Sequence, residues 1–162
     1  GKNLVEAAVA EDLEASWVPS YGPEMRGGTA NCTVIISDER IGAPLVERPS
    51  EVVAMNRAAL AKFESRVAPG GTVFVNSSII PDKVSREDVT AVYVPCDEIA
   101  AELGNPKVAN MVMLGAYVAA TGALKQATIE AMIAEMFTGK KAKLVPLNLE
   151  ALKRGMACGK PA

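Results

Sequence analysis

The stretch from Glu51 to Val75 constrains the fold more than any other part of the chain. Glu51 to Met55 is too short for periodicity to decide between helix and strand, and we interpret it as a strand. Asn56 is a favourable N-cap for the helix after it, and glycines and a proline end that helix before Thr72. Thr72 to Val75 is apolar and largely β-branched, which is typical of a strand buried on both faces of a parallel sheet. Strand, capped helix, turn and strand together predict a βαβ unit.

The rest of the chain continues this alternation of strands and helices. Asp38 to Arg40 predicts a turn, after which Ile41 begins a return strand and gives an antiparallel element. We therefore predict one three-layer α/β/α domain over residues 1–162, with a mixed, mainly parallel sheet. Further strands are predicted at Glu14 to Val18, Thr29 to Ser37 and Val89 to Val94, and further helices at Gly1 to Glu11, Cys96 to Leu103, Val108 to Ala120, Lys125 to Phe137 and Leu144 to Ala157.

The helix from Val108 to Ala120 is apolar on nearly all sides, so it should be enclosed by other elements. Asn105 and Pro106 form a strong start signal for it, a cap followed by proline at the first helical position. Gly115 and Ala119 would let another helix approach closely. That helix belongs either to the chain's own core or to a second copy in a homodimer.

Composition excludes several function classes. The 162 residues carry a net charge of −2 with acids and bases interspersed, which gives no reason to expect nucleic acid or an anionic membrane surface. No apolar run reaches the roughly 20 residues that a membrane-spanning helix needs. Histidine is absent and the three cysteines have no C-x-x-C spacing, so we expect no metal site. Each cysteine is interpreted as a small buried residue of a cytoplasmic protein.

The segment from Trp17 to Asn31 is a loop between two predicted strands. Its two prolines and three glycines exclude a helix, and the glycines allow another molecule to approach the backbone closely. Tyr21, Glu24 and Arg26 add an aromatic ring, an anion and a cation. The segment is either a simple turn region or a contact surface for a ligand or partner, and we favour the contact surface.

Three polar residues, Asn76, Ser77 and Ser78, follow the apolar strand that ends at Val75. Ligands of open α/β sheets bind beyond the carboxyl ends of the strands, so these side chains lie where a binding site is expected. The alternative is a local structural role, as a turn or as a cap for the next element.

The loop sequence Ser20-Tyr-Gly-Pro-Glu-Met-Arg-Gly-Gly-Thr-Ala-Asn31 resembles the signature of the gamma subunit of 2-oxoacid:ferredoxin oxidoreductases. These enzymes convert a 2-oxoacid and coenzyme A into an acyl-CoA. Other stretches fit the family in the same order, namely Val34 to Pro44, Met55-Asn56, Gly70 to Pro81 and Asn105 to Gly122, so the resemblance covers nearly the whole chain. Within the family, the loop is most similar to the 2-oxoglutarate and branched-chain types.

This resemblance implies a subunit that is not catalytic alone. Thiamine diphosphate and magnesium would lie in alpha and beta subunits, the iron–sulfur clusters would lie in a ferredoxin-like subunit, and the gamma subunit would support assembly and access of coenzyme A. Family members begin with a strand and a loop of the form Gly-x-Gly-Gly-Gln-Gly, which we expect to be missing before Gly1. The residues implied for the coenzyme A or subunit contact are Ser20, Tyr21, Gly22, Pro23, Glu24, Met25, Arg26, Gly27 and Gly28, with Asn76, Ser77 and Ser78 nearby.

Two other classes of function stay open from the sequence. A stand-alone dinucleotide- or small-molecule-binding domain fits the α/β alternation, although the chain has no G-x-G-x-x-G motif. A purely structural scaffold would bind no ligand in any assembly. The residues themselves show neither a nucleophile with its base nor a perturbed acid pair, which favours a role beside a catalytic partner over catalysis by the chain alone.

Overall fold

The computed structural model of the chain describes residues 1–20 and 30–159. Residues 21–29, which form most of the predicted contact surface and are here called the contact loop, and residues 160–162 therefore lie outside the described residues. The chain forms two compact units. The first comprises Gly1–Glu47 and Ala123–Met132, and the second comprises Arg48–Gly122 and the chain from Ile133 onward.

The first unit is built on an antiparallel strand pair. Helix α1 (Lys2–Ala10) leads into β1 (Glu14–Ser20), which pairs with β2 (Asn31–Ser37). The register sets the first residue of β1 opposite the last residue of β2, and Ser20 opposite Asn31. α1 packs against both strands, as its predicted apolar face requires. The strands predicted on both sides of the contact loop are thus confirmed, apart from Thr29, which lies outside the described residues.

The predicted return strand at Ile41 is wrong. Residues 38–50 contain neither helix nor strand, and the antiparallel partner of β2 is β1, which precedes it in the chain. Pro44 and Pro49 each lack the backbone N–H that a ladder needs. The turn that the sequence places at Asp38 therefore leads into an irregular connection.

The second unit contains a parallel sheet of three strands in the order β3 (Glu51–Ala54), β4 (Thr72–Asn76), β5 (Thr90–Val94). Between β3 and β4 the chain forms α2 (Arg57–Phe63). The Asn56 side chain accepts a hydrogen bond from the Ala59 N–H at 2.8 Å, so the cap predicted from sequence is in place. The βαβ unit is confirmed.

Alternate side chains of β4 serve the two faces of this sheet. Val73 and Val75 belong to a buried cluster with Leu60 of α2. Phe74 points to the other face, where its ring centroid lies 5.5 Å from that of Tyr117. Tyr117 lies on α4 (Ala109–Thr121), so helices cover both sheet faces and the three-layer α/β/α class is confirmed. Among residues 1–20 and 30–159, three strands are parallel and two are antiparallel, and the antiparallel pair is a separate sheet.

The remaining helices follow the sequence closely. The Asn105 side chain accepts a hydrogen bond from the Lys107 N–H at 3.0 Å and starts the short turn that leads into α4. No helix of the described part is long and apolar enough to cross a membrane. The other elements are α3 (Cys96–Glu102), α5 (Gln126–Met136) and α6 (Val145–Gly159), with 3₁₀ turns at Glu64–Arg66, Pro106–Val108 and Gly139–Leu144.

Helices α4 and α6 pack with their backbones almost in contact. A Cβ added to Gly155 of α6 would overlap the Val112 carbonyl of α4, and one added to Gly115 of α4 would overlap the Leu152 carbonyl of α6. Gly159 meets Ala116 in the same way. The helix that approaches Gly115 is therefore part of the chain's own core, which is one of the two readings that the sequence left open.

The connection between β4 and β5, residues 77–89, contains no helix and is fastened by hydrogen bonds. The Arg86 guanidinium donates to the backbone oxygens of Glu64 and Val67, at 3.1 and 2.6 Å. The Glu64 carboxylate accepts from the Ser85 N–H and hydroxyl, at 2.6 and 2.9 Å. We call this set of bonds the Arg86 clamp. It ties an irregular connection to the end of the α2 segment.

Candidate functional site

Three polar residues lie at the carboxyl edge of the parallel sheet, as the sequence predicts. Asn76 is the last residue of β4 and pairs with Val94, the last residue of β5. The Ser77 N–H donates to the Val94 carbonyl at 2.9 Å, which extends the ladder by one bond. The backbone carbonyl of Asn76 accepts hydrogen bonds from the backbone N–H groups of Ile79 and Ile80, at 3.2 and 3.0 Å. A tight turn therefore holds Asn76 and both serines in place beyond the strand ends.

The Asn76 side chain is buried, with 1% of its surface exposed. Its amide nitrogen donates to a carboxylate oxygen of Asp97 at 2.7 Å. Its amide oxygen is also buried and has no hydrogen-bond partner among residues 1–20 and 30–159. A buried acceptor without a donor is uncommon in proteins and is costly to maintain. Asn76 is thus the most unusual polar group at the edge.

The two serines differ in what their hydroxyls do. Helix α3 starts after Pro95, whose side chain cannot cap it. The Ser78 hydroxyl, from the neighbouring connection, accepts a hydrogen bond from the Glu98 N–H of the first helical turn at 3.1 Å. Ser78 therefore has the capping role that the sequence left open as an alternative. The Ser77 side chain is half-buried, and its hydroxyl has no hydrogen-bond partner in the described chain.

Asp97 is a site residue that the sequence analysis missed. It lies in the first turn of α3, three residues after β5 ends at Val94. The rule that points to Asn76, which looks beyond the carboxyl ends of parallel strands, applies equally to this position. Applied to β5 as well as β4, that rule would have found Asp97.

The cysteines do not supply a nucleophile at this edge. Cys96 is fully buried, and burial, followed by the negative charge of Asp97, raises the pKa of its thiol to about 12. The thiol stays protonated near neutral pH, which makes it a poor nucleophile. Burial also raises the pKa of the half-buried Cys158 thiol. The expectation that all three cysteines are buried is confirmed for Cys96 only: Cys158 is half-buried, and Cys32 is exposed on a two-stranded sheet too small to cover all its side chains.

The contact loop connects the ends of β1 and β2. Ser20 closes β1, is exposed, and pairs with Asn31 at the start of β2. The two strands that flank the loop thus pair with each other, whereas the sequence predicted only that the loop lies between strands. Residues Tyr21 to Gly28 lie outside the described residues, and their approach to Asn76 stays a prediction.

The described part of the chain contains no group of three or more Cys, Asp and Glu side chains arranged to hold a metal ion. Asp97 is paired with an amide, not with a base or a second acid. The arrangement at the edge can donate and accept hydrogen bonds and can orient a ligand.

Comparison with known proteins identifies the family of the chain. The model of the family described as pyruvate ferredoxin/flavodoxin oxidoreductase matches residues 1–158. The ketoisovalerate oxidoreductase subunit VorA of Methanothermobacter marburgensis is 40% identical over 157 residues, which are 96% of this chain and 32% of that protein. The chain thus spans about a third of the length of this curated relative.

Two solved structures have the same fold. The gamma subunit of a keto/oxoacid ferredoxin oxidoreductase from Geobacter sulfurreducens superposes with a TM-score of 0.83 at 27% identity, over 98% of this chain and 88% of that one. A 2-oxoglutarate:ferredoxin oxidoreductase from Magnetococcus marinus, with 2-oxoglutarate, coenzyme A and succinyl-CoA bound, gives 0.86 at 24% identity, over 98% of this chain and 28% of that one.

Proposed function

The chain belongs to the pyruvate ferredoxin/flavodoxin oxidoreductase family, and on that premise we propose that it acts as the gamma part of a 2-oxoacid:ferredoxin oxidoreductase. In this role it supports the assembly of the complex and the access of coenzyme A while partner subunits oxidise and decarboxylate the 2-oxoacid. The observation that carries the proposal is the family match over residues 1–158.

The residues support a division of labour between this chain and its partners. Arg26 is suited to pair with a phosphate or a carboxylate, and Tyr21 offers a ring face with a hydroxyl at its edge. Asn76 and Ser77 add hydrogen-bonding groups at the sheet edge. These groups recognise and position a ligand, whereas the oxidation needs an electron sink that other subunits would provide.

We extend the proposal to the cofactors and partners. Thiamine diphosphate and magnesium would be bound by alpha and beta subunits, and the iron–sulfur clusters by a ferredoxin-like subunit. Coenzyme A is the co-substrate that reaches this chain. The relative from Methanothermobacter marburgensis favours a branched-chain 2-oxoacid. The complex would work in the cytoplasm.

The test is reconstitution of the complex. The chain is co-expressed with the thiamine-binding and iron–sulfur subunits of the same family, and 2-oxoacid-dependent reduction of ferredoxin is measured with and without coenzyme A. We expect turnover only when this chain and its partners are present together. A chain that oxidises a 2-oxoacid by itself, or a complex that is equally active without it, contradicts the proposal.

The same assay locates the coenzyme A contact. Arg26→Ala should raise the KM for coenzyme A about tenfold or more, because a charge-assisted bond to phosphate is lost. Arg40→Ala is the matched control, since Arg40 is an exposed arginine of the same unit outside the contact loop. Equal KM values for the two variants would remove Arg26 from the proposed contact.

A further inference from the structure

The orientation of the Asn76 amide is fixed by its neighbour. The nitrogen donates to Asp97 at 2.7 Å, and the flipped amide would bring two oxygens together at that distance. The amide oxygen must therefore point away from Asp97. That oxygen is the buried acceptor that has no partner in the described part of the chain.

An acceptor of this kind is costly to keep. Leaving a buried carbonyl oxygen unpaired costs more than replacing the whole group by an apolar one of the same shape. Leucine has nearly that shape, and the other interior positions of β4, Val73, Phe74 and Val75, are apolar. A buried amide at the last position of the strand is therefore explained best by a donor from outside the described chain. The adjoining Ser77 hydroxyl also has no partner there and can donate or accept.

Charge limits what that donor can be. The Asp97 carboxylate adjoins the amide, and its one hydrogen bond in the described chain comes from the neutral Asn76 nitrogen, not from a cation. An anionic group at this position would face the partial negative charge of the Asn76 oxygen and, behind it, the full negative charge of the Asp97 carboxylate. A phosphate or a carboxylate is thus disfavoured at this position. An uncharged N–H or O–H group satisfies the acceptor without opposing Asp97.

We propose that Asn76 and Ser77 form a subsite for an uncharged amide or hydroxyl group of the co-substrate, and that phosphate groups are held elsewhere. This inference rests on the proposed function, in which the co-substrate is coenzyme A. The pantetheine arm of coenzyme A carries amide N–H and hydroxyl groups, whereas its phosphates lie at the opposite end. Because the Asn76 oxygen is buried and Ser77 is half-buried, we expect the arm to reach Ser77 before it reaches Asn76.

The assembled complex provides the test, with coenzyme A as substrate and pantetheine, which lacks the nucleotide phosphates, as competitive inhibitor. Asn76→Leu should raise both the KM for coenzyme A and the inhibition constant of pantetheine by about tenfold, the loss expected for one neutral hydrogen bond in a closed site. Ser77→Ala should raise both by about threefold. Ser85→Ala is the matched control, since Ser85 lies in the same connection but bonds to Glu64.

The possible outcomes distinguish a failure of the subsite inference from a failure of the proposed function. If coenzyme A binding weakens in Asn76→Leu while pantetheine inhibition is unchanged, the subsite holds the phosphate end and the inference is overturned. Unchanged constants in both Asn76→Leu and Ser77→Ala mean that water fills the acceptor, which also overturns it. If Asn76→Leu does not fold, Ser77→Ala alone decides between these results. If turnover of the wild-type complex does not depend on coenzyme A, both the proposed function and this inference are overturned.

Discussion

The α4–α6 contact and the carboxyl edge of the parallel sheet are both buried parts of one unit. They differ in how completely their buried atoms are packed and hydrogen-bonded. Between the helices, Gly115, Gly155 and Gly159 bring backbone against backbone and leave no room for a methyl group. At the sheet edge, Asn76 is equally buried but retains an amide oxygen with no partner in the described chain. The helix contact has no room for an added methyl group, whereas the sheet edge lacks a hydrogen-bond donor for the Asn76 oxygen within the described chain.

The difference separates residues that pack the fold from a polar residue that we propose to bind a ligand. Close helix packing gains stability from many small dispersion contacts, so any change of volume at Gly155 should be felt first by the fold. A buried group without a partner lowers stability and is retained where binding offsets its cost. Substitutions should therefore separate the two regions by whether stability or ligand response changes.

The largest effect is expected for Gly155→Ala. The added methyl group would overlap the Val112 carbonyl, and only a separation of the two helices can relieve it. We expect the free energy of unfolding to fall by more than about 3 kcal/mol, measured by chemical denaturation. Gly42→Ala is the control, because a Cβ there meets nothing and its backbone is not left-handed, so its effect should stay within about 0.5 kcal/mol. Equal midpoints for both variants would contradict the helix contact.

The second prediction concerns how the free energy of unfolding depends on pH through the thiol of Cys96, at the sheet edge. The unfolded Cys96 thiol loses its proton near its ordinary pKa of 9.0, whereas the folded one keeps it to about 12. The folded state then binds more protons, so this contribution to stability is present below pH 9 and is lost as the pH rises from 9 to 12. The expected slope is about 1.4 kcal/mol per pH unit for this group.

Comparison with Cys96→Ala isolates that slope. The variant loses the thiol but keeps every other group that titrates in alkali, including Tyr117, whose pKa is raised to about 12 by burial. Chemical denaturation from pH 8 to 10.5 should therefore give a flatter decline for the variant than for the wild type. Parallel declines would mean that the edge around Cys96 is wetter than its burial indicates.

The smallest effect separates the two serines. Ser78→Ala removes the hydroxyl that accepts from the Glu98 N–H, so the free energy of unfolding should fall by about 1 kcal/mol. Ser77→Ala removes a hydroxyl with no partner in the described chain, and its effect should stay within about 0.5 kcal/mol. Thermal or chemical denaturation of both variants makes the comparison. A larger loss for Ser77→Ala would reverse the roles that we assign.

Much of the fold could be predicted because its signals are local. The apolar, β-branched run from Thr72 to Val75, the cap at Asn56 and the helix start at Asn105 each depend on residues within one turn or one strand. The enclosed helix was also correct, since a segment that is apolar all round must be covered. Local patterns failed at Ile41, because two or three apolar residues do not say which strand is their neighbour.

The site was only partly predictable because its bonds join distant parts of the chain. Asn76, Ser77 and Ser78 could be placed at the sheet edge from the strand that precedes them. The same rule places Asp97 beyond the end of β5, but its bond to Asn76 and the cap that Ser78 gives to α3 depend on how β4 and β5 align, which no spacing along the chain reveals. The closeness of Gly115 to α6, likewise, was visible in sequence only as a small residue that some helix could approach.

The Arg86 clamp should protect the connection at residues 77–89 from proteolytic cleavage. A connection without regular structure, such as residues 77–89, is ordinarily a preferred cleavage site, because a protease needs a stretch of backbone that can open locally. Here Arg86 and Ser85 hold the backbone to Glu64 and Val67, so cutting requires the end of the α2 segment to open as well. We expect digestion to begin in the irregular connection at residues 38–50, leaving the parallel sheet as the persistent fragment.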